Sequence, residues 1–253
     1  MKPSETRDPS DVGGDVSFSL SDLRGLFRIA FAQGPFGVLI GGQAVNYWAA
    51  TVADPDRLVN LQPMTSRDLD FFGGPSEARR LADRLGIDGR FNDGLDPSPN
   101  AAVLTATLED GRRIVIDVLT TSLGVSGSEL LATATTVKAV GADVRVIHPM
   151  LLLESKLTCL RQLPQRERQD EKHIRILKHV LADQMSHLLD QPRSLFRTVE
   201  RYFRLLTTPT GRHATSRGVD LWGAVPLASM RDDARYAVFF ENRLPQMLRE
   251  LDS

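Results

Sequence analysis

The 253-residue chain is poor in cysteine, in aromatic side chains and in net charge. Its single cysteine, Cys159, excludes an internal disulfide framework and suits a reducing compartment; set in the apolar run that begins at Pro149, it reads as a buried, inert thiol. A formal net charge of −1 offers no general basic field to gather nucleic acid, so any such binding needs a local patch. No run approaches the roughly 20 apolar residues that cross a bilayer. Residues 1–17 are polar, carry Pro and Gly, lack the apolar stretch of a secretory signal and read as a flexible tail. The simplest expectation is a cytoplasmic protein without a membrane partner.

Apolar residues nonetheless make up 42% of the chain, enough for a sizeable core. Ser19–Gly34 has helical spacing and ends on glycine. Gly37–Ile40 is a short apolar strand, followed by Gly41-Gly42 and a helix over Gln43–Ala53. Residues 54–63 read as a loop, Met64–Phe72 as a strand, and Pro75–Gly86 as a helix opened by proline and closed by glycine. Ala101–Leu108 and Arg112–Thr120 flank an Asp-Gly turn signal and predict an antiparallel hairpin. Val144–Ile147 is a further strand, and from Pro149 onward the pattern is helical. The expected class is α+β, with a mixed sheet flanked by helices over residues 18–148 and an α-helical region over 149–253.

The segment Met64–Phe72 reads MTSRDLDFF. Strand alternation puts Asp68 and Asp70 on one face and Leu69 and Phe71 on the other. Two like charges so close suit either the solvated face of a sheet or a site where a cation relieves their repulsion. Asp117, between Ile116 and Val118, supplies a third carboxylate on a later strand. Glycines at a strand-to-helix turn let backbone approach a phosphate, and the helix N-terminus behind them offers unpaired N–H groups. Carboxylates with phosphates are the usual ligands of Mg²⁺.

Gly41-Gly42-Gln-Ala-Val-Asn46, Thr65-Ser-Arg-Asp-Leu-Asp-Phe71 and Ile114-Val-Ile-Asp-Val118 together resemble the three signature motifs of the DNA polymerase beta-type nucleotidyltransferase superfamily. The segments beginning at His148 and Arg166 are similar to the AbiEii-like nucleotidyltransferase toxin branch; the likeness covers residues 35 to 180. The resemblance implies a nucleotidyltransferase fold and transfer of a nucleoside monophosphate from an NTP to an acceptor with Mg²⁺. Asp68, Asp70 and Asp117 would be both metal ligands and catalytic residues. Gly41 and Gly42 would contact the triphosphate, joined by Ser66, Lys156 and Asp170. Arg67 should alternate to the face away from Asp68, which favours Ser66. Asp170 matches the aspartate of the branch's Arg-x-Lys-Asp pattern, with Gln169 where lysine is usual. The branch implies an RNA acceptor such as the tRNA 3′ end, a cognate antitoxin and a toxin-antitoxin or phage-defence role. The alternatives are a protein or an aminoglycoside-like acceptor, a catalytically inactive nucleotide-binding module partnering another defence protein, and a nuclease using the same carboxylates.

Other residues keep two readings. Lys156 lies in an apolar helix, where it either reaches phosphates or snorkels to water. His148 reads as a polar loop residue, and His173, His179 and His187 as surface residues of a charged helix. Arg193, Arg197, Arg201 and Arg204 recur at helical spacing, as either an RNA-backbone stripe or the solvated side of an amphipathic helix. Residues 211–218 read as a small flexible loop.

Overall fold

The computed structural model describes residues 16–92, 97–166, 168–231 and 233–252. Of the expected N-terminal tail, residues 1–15 lie outside the described residues. The architecture is α+β: one seven-stranded mixed sheet, helices against it, and further helices packed beyond.

The elements run α1 (Arg24–Ala30), β1 (Val38–Leu39), α2 (Gly41–Thr51), β2 (Asp68–Phe72), α3 (Pro75–Leu85), β3 (Gly89–Phe91), β4 (Asn100–Thr107), β5 (Arg113–Leu119), α4 (Gly127–Thr133), β6 (Thr135–Ala139), β7 (Ala142–Val146), α5 (Pro149–Gln162), α6 (Asp170–His187), α7 (Pro192–Thr207), α8 (Pro209–Ser216), α9 (Leu227–Arg231) and α10 (Leu244–Asp252). The sheet order is β3-β4-β5-β2-β1-β7-β6. β2 pairs parallel with β5 and antiparallel with β1, and β1 pairs parallel with β7. The expected hairpin is β4–β5, turned at Gly111 with φ +84°.

Sheet alternation decides what β2 presents. Leu69 and Phe71 are wholly buried, and the Phe71 ring meets Phe31 and Phe36 at centroid distances of 5.9 and 4.9 Å. That aromatic cluster ties α1 and the loop after it to the back of the sheet. Asp68 and Asp70 therefore face the other side. There α2, α5 and α6 pack against one another and close over the sheet's strand ends.

Several local expectations are corrected. Residues 54–63 are not all loop: Asp54 accepts from the Asp56 amide and Pro55 opens a 3₁₀ helix over Pro55–Leu61. Residues 211–218 are mostly helical, since α8 starts at Pro209 with the Thr208 hydroxyl accepting from the Gly211 amide. His148 is, as expected, a polar residue outside the helix, and it caps α5, its Nδ1 accepting from the Met150 amide at 3.1 Å. His173 is buried rather than exposed, because α6 is covered by both α2 and α5; His187 is exposed as expected and His179 is half-buried.

The arginine stripe on α7 is divided among different partners. Arg201 donates to Glu129 at 2.5 Å and Arg204 lies 3.8 Å from Glu200, while Arg193 and Arg197 are exposed. Among the described residues no helix is long and apolar enough to cross a membrane.

Candidate active site

The register of the parallel pair β2–β5 sets Asp70 directly beside Asp117. One ligand oxygen from each of Asp68, Asp70 and Asp117 falls within 4.8 Å of the others. These carboxylates line a cleft of about 600 Å³ together with Gly41, Gly42, Lys156, Asp170 and His173. All three are half-buried.

Mutual repulsion and loss of water are legible in the acidity of Asp70 and Asp117. Burial first and Asp68 second push Asp70 up to about 7, with Lys156 opposing the rise and Asp117 adding to it. Asp117 is also raised, by burial and then by Asp68, against a hydrogen bond from Asn100 Nδ2 to its Oδ1 at 2.9 Å. Three converging carboxylates offer oxygen donors that suit a hard divalent cation such as Mg²⁺; zinc usually takes nitrogen and sulfur donors.

The glycines are required by what stands against them. Gly41 has φ +65°, and a Cβ there would lie 1.8 Å from Asp70 Oδ2; at Gly42 it would lie 2.4 Å from Ser66 Oγ and 3.2 Å from His173 Cε1. The absent side chains let the N-terminus of α2 sit against the carboxylates. Its first amides lack intrahelical partners and carry the positive end of the helix dipole.

Ser66 and Arg67 both line the cleft. Arg67 does not alternate away as expected, because β2 begins only at Asp68 and Arg67 lies in a bend before it. Ser66 is pinned by backbone hydrogen bonds to Phe18 in both directions, and its hydroxyl donates to Asp68 Oδ1 at 2.9 Å. Its direct service is thus to orient Asp68.

Lys156 is buried rather than snorkelling. Its Nζ donates to Asp170 Oδ1 at 3.2 Å, and Arg168 Nε donates to Asp170 Oδ2 at 2.5 Å. Burial raises the Asp170 carboxyl, but Arg168 and Lys156 outweigh it and leave the group below its ordinary range. Asp170 therefore positions two cations at the cleft. Lys156→Met is expected to cost about 3 kcal/mol, the low end for breaking a buried pair because Arg168 still compensates Asp170; urea unfolding at pH 7 measures it. Cys159 also lines the cleft, and burial raises its thiol, in keeping with an inert group.

Sequence reasoning missed Asn100, Arg168 and the burial of His173. Counting back from the Gly111 turn places Val103 opposite Asp117, as observed, but a bulge between Asn100 and Ala102 shifts the ladder and brings Asn100 to the carboxylate. No sequence signal marks that bulge. Arg168 had one: it lies two residues before the acid it pairs with.

No protein-family model and no curated protein matches the chain. Among solved structures, an antigenic nucleotidyltransferase-like protein from Paracoccidioides brasiliensis is 14% identical with a TM-score of 0.43, over 74% of this chain and 95% of that one. JHP933 from Helicobacter pylori is 14% identical with a TM-score of 0.39, over 90% of this chain and 94% of that one. Likeness at this level carries no argument about chemistry, which rests on the cleft itself.

Proposed function

We propose that the chain is a Mg²⁺-dependent nucleotidyltransferase of the DNA polymerase beta type, moving a nucleoside monophosphate from an NTP to an acceptor hydroxyl. The observation that carries this reading is the convergence of Asp68, Asp70 and Asp117 on two parallel strands against the N-terminus of α2. A triphosphate needs both features: anionic oxygens for a divalent cation and a positive helix end for the phosphates.

Asp68, Asp70 and Asp117 would hold Mg²⁺, which would supply charge neutralisation for an in-line displacement at phosphorus. The chain's own groups do the rest. The α2 amides, with Lys156 beside them, hold the phosphates, and Ser66 and Asn100 fix the angles of Asp68 and Asp117. The acceptor hydroxyl oxygen bonds to the α-phosphorus, its proton passes to the raised carboxylate of Asp117, and the bond from the α-phosphorus to its bridging oxygen breaks to release pyrophosphate. Positioning and charge stabilisation supply the rate.

Asn100→Ala removes the hydrogen bond that holds Asp117 down. Asp117 must then be more basic, and the pH–rate limb that rises as it ionises is expected to move to higher pH. A pH profile of kcat checks this; an unmoved limb assigns the proton elsewhere.

The acceptor proposed is RNA, such as the tRNA 3′ end, in a toxin-antitoxin or phage-defence setting with a cognate antitoxin, by analogy with the AbiEii-like branch. Incubation of the purified chain with each NTP, Mg²⁺ and total RNA, read by mass spectrometry, tests it. RNA lengthened by whole nucleotides supports the proposal. RNA shortening points to a nuclease, and label on protein or a small molecule redirects the acceptor. NTP binding with no transfer to any of them overturns the enzyme reading.

A further inference from the structure

His173 belongs to the cleft but has no part in the chemistry above. It lies on α6 one turn after Asp170, is 6% exposed, and has both ring nitrogens buried with no hydrogen-bond partner. Gln169, one turn earlier, has an equally orphaned Oε1. Buried polar atoms are paired in nearly all native proteins, and unpaired ones mark places where a partner is expected.

At the start of α2, Gly41 stands against Asp70, and Gly42 stands against Ser66 and the His173 ring; Lys156 lines the same cleft. In the nucleotidyltransferase reading, on which this inference rests, the reacting phosphorus lies at the carboxylates. The remaining phosphates then extend past Gly42 toward Lys156.

We propose that His173 is a phosphate-binding residue of the cleft, its imidazole N–H donating to an oxygen of the distal phosphates of a nucleoside triphosphate laid across the N-terminus of α2. The ring edge at Cε1, between the two nitrogens, lies 3.2 Å from where a Cβ on Gly42 would stand, so a glycine there keeps the imidazole open to the start of α2. Burial and then Lys156 hold the imidazole neutral, its pKa pushed down to about 3, so it offers one donor and one acceptor rather than a second cation. That suits length discrimination: a hydrogen bond to the far phosphates is made by a triphosphate and missed by a monophosphate.

The test is calorimetric titration of NTP, NMP and inorganic tripolyphosphate, each with Mg²⁺, into wild type, H173F and H173N. H173F keeps ring bulk without the donor, and H173N keeps an N–H. H173F is expected to weaken NTP and tripolyphosphate binding about tenfold, as for one hydrogen bond to a charged group, with NMP unchanged and H173N close to wild type. Unchanged NTP binding by H173F, or equal weakening of NTP and NMP, overturns the proposal. Wild type that binds tripolyphosphate but no NTP, with H173F weakened, upholds the phosphate contact and overturns the nucleotide reading. Wild type that binds neither overturns both. If H173F does not fold, ¹⁵N signals of the His173 imidazole in unaltered protein decide: they must move on addition of Mg²⁺ and tripolyphosphate, and a ring that does not respond contradicts the contact.

Discussion

Asp70→Asn is expected to lower nucleotidyl transfer by at least about 10³-fold while making the cation-free protein more stable at pH 8. The activity loss follows from removing one of three carboxylates that would hold the metal; metal charge stabilisation is worth several kcal/mol, and each 1.36 kcal/mol is tenfold in rate. The stability gain follows from the raised acidity. Asp70 has a folded-state pKa of about 7, above the ordinary carboxyl value of 3.8. Such a group costs nothing below the unfolded pKa, and its cost grows as pH rises toward 7 and is full above it. Asparagine escapes that cost. With chelator present, the variant should melt clearly above wild type at pH 8, each kcal/mol of the removed cost being worth about 2–4 °C for a chain of this size. The gap should close toward pH 4. Differential scanning calorimetry at both pH values checks it, and a variant less stable than wild type at pH 8 would mean the carboxylate is satisfied without a cation. The same linkage requires that divalent cations bind more tightly as pH rises through 7 and release protons as they bind.

Gly41→Ala should be nearly as damaging to activity, for a steric reason. Two effects coincide there: a left-handed φ of +65°, and a Cβ that would stand 1.8 Å from Asp70 Oδ2 and 2.7 Å from its Cγ. The backbone term alone is about 1–2 kcal/mol. The clash displaces Asp70 or the start of α2, and either movement separates the carboxylates from the phosphate seat. Transfer is expected to fall by about 10²-fold or more, since a misplacement of about 1 Å is enough for that. Gly34→Ala is the matched control, because φ is +89° there and nothing lies within 4 Å of the added Cβ. It should cost similar backbone strain in urea unfolding and leave transfer unchanged. Equal activity losses in the two variants would reduce the role of Gly41 to strain alone.

Much of this cleft is legible in the sequence. The alternation in Asp68-Leu69-Asp70-Phe71 required two carboxylates on one face, and the Asp-Gly turn required a hairpin whose second arm carries Asp117. What sequence could not supply was the order of strands. Only the parallel pairing of β2 with β5 brings Asp70 beside Asp117, and these strands lie more than forty residues apart. Residues governed by short irregularities escape such a reading. Arg67 precedes the first regular residue of β2, so alternation does not reach it, and Asn100 arrives by a bulge. His173 escapes it for another reason: its charged neighbours Lys172 and Arg175 describe a solvated face, while the burial of His173 depends on α2, 122 to 132 residues earlier in the chain.

The bond that breaks is the most direct measure of the account. NTP labelled at the α-phosphate and, separately, at the γ-phosphate is supplied with Mg²⁺ and total RNA to wild type and to Asp68→Asn. Transfer of a nucleoside monophosphate predicts α-label bound to the acceptor, γ-label released wholly in pyrophosphate, and neither event in the variant. γ-Label on the acceptor, or α-label transfer surviving in Asp68→Asn, would contradict the roles assigned to the three carboxylates.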